Sequence, residues 1–189
     1  MTDTTPNTPA AESQESLPPI HSTAVIFNIT DGTPEHLIHT PGEHHGHRER
    51  ETIRLHNEAL AKRIQRLRTD KGREISLRLP SGSPALRPGD VIAVTDTSFI
   101  TIETTTTRVI VVRPSCIRQM GEAAHALGNR HRQVQFFDDS TQFGAQFGQV
   151  VFLTPYDHTV TDHLESLHVD YTIEDVELDT PFRHAEHQH

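Results

Sequence analysis

The sequence predicts an α+β fold: a small all-β module followed by a mixed domain of strands and two helices. Three observations carry this. From about 22 to 112, apolar residues come in short, β-branched runs separated by turn signals. Beyond Arg113, two stretches change to the three- and four-residue spacing of an amphipathic helix. Both chain ends are polar, so the hydrophobic residues, only 33% of the chain, must build two small cores in between.

Residues 1–20 open with MTDTTPNTPAAESQESLPP, which lacks the basic start and apolar centre of a signal peptide. Its Thr, Pro, Ser and Glu content predicts a disordered leader. The β-rich module spans 21–106. TAVIFNIT is its first strand, and a polar loop over 31–49 follows. RETIRLH alternates, with Ile53 and Leu55 on one face. RIQRLRTDKGREISLRLP reads as a hairpin turning at DKG, with Ile64, Leu67, Ile75, Leu77 and Leu79 as its apolar positions. LRPGDVIAV turns on Pro88-Gly89-Asp90 into a strand, and SFITIETTTTRVIVVRP supplies two more. Short strands at this spacing suggest a sandwich or barrel-like module.

The second domain spans 107–179. Pro114 and Ser115 look like a helix entry, with Ser115 as cap. Ile117, Met120, Ala124 and Leu127 form one apolar stripe, and Gly128 stands where a left-handed cap is expected. QVQFF and QVVFL are strands. A second helix starts near 155–157 with Val160, Leu164 and Leu167 on its stripe, and VDYTIEDVEL ends the folded part. The order is β-α-β-β-α-β, the ferredoxin-like order. A flexible tail occupies 180–189.

The net charge of −9 argues against nucleic-acid binding, and no apolar run is long enough to span a membrane. A cytoplasmic location fits the missing membrane span, the missing signal peptide and the lone cysteine. Residues 48–73 hold nine of the 17 Lys and Arg but four of the 26 acids, so they carry +5 and leave −14 for the rest. That stretch is either a solvated strand pair or a docking surface for an acidic partner. The single cysteine, Cys116, excludes an internal disulfide framework and any thiolate-built zinc site. It reads as a small buried residue.

Histidine is the outlier, with 15 in the chain. Five fall between His36 and His47, and three, His184, His187 and His189, in the closing HAEHQH. Both clusters lie in polar segments, so burial in a core does not explain them. Histidine-rich flexible tracts signal metal binding, and imidazole suits nickel, copper, zinc and iron. HALGNRH, residues 125–131, closes the first helix. On patterning alone, His131 is either a ligand or a histidine favoured by the helix dipole. His163 and His168 follow His158 at five-residue steps and read as solvent-facing. Three functions compete: a metal carrier, a metalloenzyme pairing His131 with Asp138 or Asp139, and a peptide-binding β module with general metal buffering. HExxH, nucleophile and phosphate-loop motifs are lacking, which weighs against the second.

GNRH after a short helix, preceded by TDKGREISLRLP and LRPGDVIAV and followed by a histidine-bearing tail, resembles the UreE family of urease accessory proteins. The resemblance covers about residues 50–180. It implies a homodimeric nickel metallochaperone, not an enzyme, that serves urease assembly. Its partners would be the urease apoprotein complex and the urease accessory GTPase. It implies nickel as the metal, with zinc or copper as alternatives. His131 would bind metal at the subunit contact, completed by His184, His187 and His189. His158, in YDH, would belong to a peripheral site. One departure stands out. Family members often carry histidine where this chain has Ala126, and His125 lies one residue earlier, about 100° away around the helix.

Overall fold

The computed structural model describes residues 17–32, 34, 47–137 and 150–182. Eleven strands and two α-helices fall within them. In chain order they are β1 (Ile20–Ser22), β2 (Phe27–Asn28), β3 (Glu49–Leu55), a 3-10 turn (Asn57–Ala61), β4 (Ile64–Arg68), β5 (Glu74–Arg78), β6 (Asp90–Val94), β7 (Ser98–Thr104), β8 (Thr107–Arg113), α1 (Ile117–Asn129), β9 (Gln135–Phe137), β10 (Val151–Pro155), α2 (His158–Ser166) and β11 (Asp170–Val176).

The β module is two sheets around one core. The first has the order β1-β5-β4, and the second β2-β6-β7-β3. Ile75 and Leu77 of the first meet Ile53, Leu55, Ile92, Ile100 and Ile102 of the second in one buried cluster, which Leu60 and Leu86 close. The β4–β5 hairpin forms as its sequence predicts. It turns at Gly72, whose φ of 81° is the left-handed conformation glycine adopts without steric cost. Two expectations fail. Ile64 is not an apolar core position: β4 is an edge strand, and Ile64 is 68% exposed. The run TAVIFNIT yields only the two-residue β2, while β1 begins earlier, at Ile20. Two pairings are parallel, β1 with β5 and β3 with β7, and local alternation carries no sign of either.

The second domain has a four-stranded sheet in the order β11-β8-β10-β9, antiparallel throughout. Because successive side chains point to opposite faces, RVIVVR splits its apolar residues between two layers. Ile110 and Val112 pack with Phe152, Ala123, Leu127, Val160 and Leu164 under the helices. Val109 and Val111 pack with Val151 and Leu153 on the other face, beneath Leu178 and Phe182. Packing thus continues beyond 179, the expected end of the domain, to Phe182. Bonds at both ends hold the helices side by side: Gln119 Nε2 donates to the His168 carbonyl at 3.1 Å, and Arg132 pairs with Asp157 at 2.6 Å.

The helical stripe differs from its prediction at two positions, Ile117 and Ala124. Ile117 is 92% exposed, and Ala123 is fully buried with Leu127, so the inward face is Met120, Ala123 and Leu127. Cys116, expected to be buried, is exposed and stands at the N-cap itself. Ser115, the expected cap, instead bonds Gln119 Oε1 through both its hydroxyl and its N–H, at 2.8 and 2.9 Å. Among the described residues, no helix is long and apolar enough to cross a membrane.

Candidate metal centre

HALGNRH folds as one terminating device. α1 runs through Gly128 and Asn129, and the left-handed residue is His131, with φ 53°. The N–H of His131 donates to Gly128 O at 2.9 Å, and that of Arg132 to Leu127 O at 3.0 Å. These are the paired bonds of a Schellman ending. Gly128 is therefore not the cap; His131 is. The cost of placing a side chain there is about 1 kcal/mol. It lifts the His131 ring onto an exposed tip, with no side-chain hydrogen bond among the described residues. His168 ends α2 in the same way, with φ 53° and bonds from His168 N to Glu165 O and from Val169 N to Leu164 O.

The residue after His131 ties this tip to the start of α2. Arg132 pairs with the Asp157 carboxylate at 2.6 Å and also reaches Thr159 Oγ1 at 3.3 Å. Asp157 is the N-cap of α2 and accepts from Thr159 N and Thr159 Oγ1 at 2.8 and 2.6 Å. The hydroxyl and N–H of Thr159, then the Arg132 guanidinium, hold the Asp157 carboxyl below its ordinary value. His158 follows directly, with its side chain 80% exposed. Its Nδ1 lies 3.9 Å from Asp157 Oδ1, an oxygen already engaged by Thr159, so the imidazole is free to turn outward. One ion pair thus links the segments that carry His131 and His158.

Other histidines separate from these two. His125 is exposed and its Nε2 lies 2.9 Å from Asn129 Nδ2, one turn along the same helix. Asn129, the last residue of α1, is thus the partner of His125. His163, expected to face solvent, has a buried Nε2 with no hydrogen-bond partner among the described residues. His184, His187 and His189 lie outside the described residues, as do His36, His39, His44 and His45 of the loop and both Asp138 and Asp139. Among the described residues, no three His, Cys, Asp or Glu side chains group as metal ligands. Sequence reasoning missed the left-handed cap at His168, the Arg132–Asp157 tie and the burial of Phe182. An ion pair across 25 positions leaves no periodic trace. The repeated Leu-to-His spacing at the helix ends, Leu127 to His131 and Leu164 to His168, was the available signal.

The chain is similar to known proteins over most of its length. Residues 35–105 match the family model described as UreE urease accessory protein, N-terminal domain. A urease accessory protein UreE from Pseudarthrobacter chlorophenolicus is 45% identical over 165 residues, 87% of this chain and 97% of the relative. The protein of that name from Micrococcus luteus is 40% identical over 88% of this chain and 98% of its own length. That from Corynebacterium urealyticum is 46% identical over 74% and 85%. These relatives are named as accessory proteins and not as enzymes, so the catalytic pairing of His131 with Asp138 or Asp139 is set aside. The chain belongs to the UreE family of urease accessory proteins.

Proposed function

We propose that this protein is a cytoplasmic, homodimeric metallochaperone that carries nickel for urease maturation, handing it on to the urease apoprotein complex together with an accessory GTPase. The observation that carries the reading is the placement of His131: a left-handed, exposed imidazole at a helix end where glycine would be less strained. As a structural cap, as at His168, such a histidine gains at most the helix-dipole contribution of a protonated ring. The proposed metal role rests on the exposure of His131 together with the histidine-bearing tail. One imidazole is a poor site, and an isologous dimer contact would supply a second from the symmetry mate. His184, His187 and His189 would complete the shell, and His158 would form a peripheral site. The β-α-β-β-α-β order of 107–176, with strands in the order β11-β8-β10-β9, supports the ferredoxin-like reading of this domain.

Exposed imidazoles without thiolates suit cargo better than structure, because they bind nickel and release it on protonation or ligand exchange. Zinc and copper compete for such a donor set, so selectivity rests on geometry and supply. The test is nickel calorimetry combined with light scattering on the intact chain. The expected result is a dimer with one tight nickel per two chains and additional weaker sites. A monomer at micromolar concentration, with and without nickel, contradicts it.

A further inference from the structure

We infer that Leu178–Phe182 is a strap by which the β module fixes the starting point of the histidine-bearing C-terminus, with Asn57 as the positioning residue. This rests on the proposed role of His184, His187 and His189 as ligands, and it gives the β module a part in metal binding.

Asn57 opens the 3-10 turn after β3 and is 2% exposed. Its carboxamide spends both ends on a single backbone segment more than a hundred residues away. Nδ2 donates to Thr180 O at 2.7 Å, and Oδ1 accepts from Phe182 N at 2.8 Å. The turn is rigid at its base, since Leu60 belongs to the buried core and its carbonyl accepts from Leu86 N at 2.9 Å. The second domain grips the same point. Gln135 Nε2 of β9 donates to Thr180 O at 3.2 Å, so this carbonyl uses both lone pairs, one toward each module. Leu178 and Phe182, 3% and 5% exposed, pack on the sheet face opposite the helices.

Apolar burial alone would hold the segment but tolerate slippage. The amide grip on residues 180 and 182 does not: a one-residue slip breaks both bonds. The register fixes how much chain remains. His184 is two residues beyond Phe182 and His189 seven, giving reaches of about 7 and about 25 Å. The anchor lies beside Gln135, and Gln135 is four residues from His131, about 14 Å of chain at most. The strap therefore starts the tail within reach of the helix tip. Nothing in a mere packing role requires a buried asparagine that reads two backbone groups at once.

The test uses the full chain, a chain ending at Arg183, and Asn57→Ala in both. Hydrogen exchange reads the strap without metal: the Phe182 amide should exchange about tenfold faster in Asn57→Ala, while β5 and β8 keep their protection. Nickel titration reads the consequence. Asn57→Ala should weaken the tight class in the full chain toward the value of the shortened chain, and should have no further effect in the shortened chain. If the β5 amides also lose protection, Phe182→Ala, which leaves the turn intact, replaces Asn57→Ala in the same comparisons. Unchanged exchange at Phe182, or equal nickel weakening in both chain lengths, overturns the inference. If the shortened chain binds nickel as tightly as the full one, the tail ligands of the proposed function fail instead, and the exchange result alone decides whether the strap exists.

Discussion

His131 and His168 occupy the left-handed end position that glycine usually fills, and each donates a backbone bond that helps close its helix. A histidine in this conformation is strained, so replacing it separates fold from function. His168→Gly and His131→Gly should each raise stability, by about 1 kcal/mol, in urea unfolding of the metal-free protein. Only His131→Gly should also lose tight nickel. A loss of stability in both would mean that the rings make contacts beyond the cap. The proposed ligands are imidazoles, which coordinate only when neutral, and free histidine titrates near about 6.5. Protons therefore compete with metal, and nickel affinity should fall as pH drops from about 7.5 to about 5.5. A flat profile over that range would point to carboxylate ligands. The cap was legible in the sequence only by its neighbourhood. Gly128 stands directly after Leu127, the last apolar position, and invites the role. The closing bond from Arg132 N to Leu127 O places the left-handed residue four positions beyond Leu127, at His131.

At the scale of elements, the β module is pinned by one buried ion pair. Glu51 of β3 and Arg73, at the end of the β4–β5 turn, have side chains 2% and 7% exposed. Arg73 donates to Glu51 through Nε at 3.0 Å and through its terminal nitrogen at 2.8 Å, while Ser98 and Thr69 hydroxyls donate at 2.7 and 2.9 Å. Burial pushes the Glu51 carboxyl up. The Arg73, Ser98 and Thr69 hydrogen bonds outweigh it, and the group ends below its ordinary value. A carboxyl held low in the folded state adds stability above its unfolded pKa, about 4.3, and that contribution disappears as pH falls through the folded value. Glu51→Gln should therefore cost about 3 kcal/mol at pH 7, by stranding Arg73 in the core. The gap between variant and parent should narrow below about pH 4. A gap under about 1 kcal/mol at pH 7, the range of exposed pairs, would contradict the burial argument. Sequence patterning reaches these elements unevenly. The hairpin was legible because glycine and alternation are local. The parallel pairing of β3 with β7 was not, because Glu51 finds Ser98 across 47 positions and no periodicity encodes that distance.

For the molecule as a whole, the order of strands and helices beyond Thr107 was readable from the change in apolar period, the same change that suggests a division at about 106. The joint between the modules was not. Thr180, Pro181 and Phe182 look like the start of a polar tail, yet Phe182 is buried and both modules hold Thr180. This matters for experiment, since removing the tail from Pro181 onward would also take out a core residue. A chain ending at Arg183 removes HAEHQH, with its three histidines, and keeps Phe182. The most direct measurement of the central claim is nickel titration of His131→Ala beside the chain ending at Arg183 and the parent. His131→Ala removes both central imidazoles of a symmetric site at once. It should abolish the tight class and leave weak tail binding, with the dimer intact because its contact should rest on packing rather than on metal. The shortened chain should keep one nickel per dimer, bound less tightly, and lose the weaker sites. If His131→Ala keeps the tight class while the shortened chain loses it, the metal centre is the tail and the left-handed histidine is only a helix end.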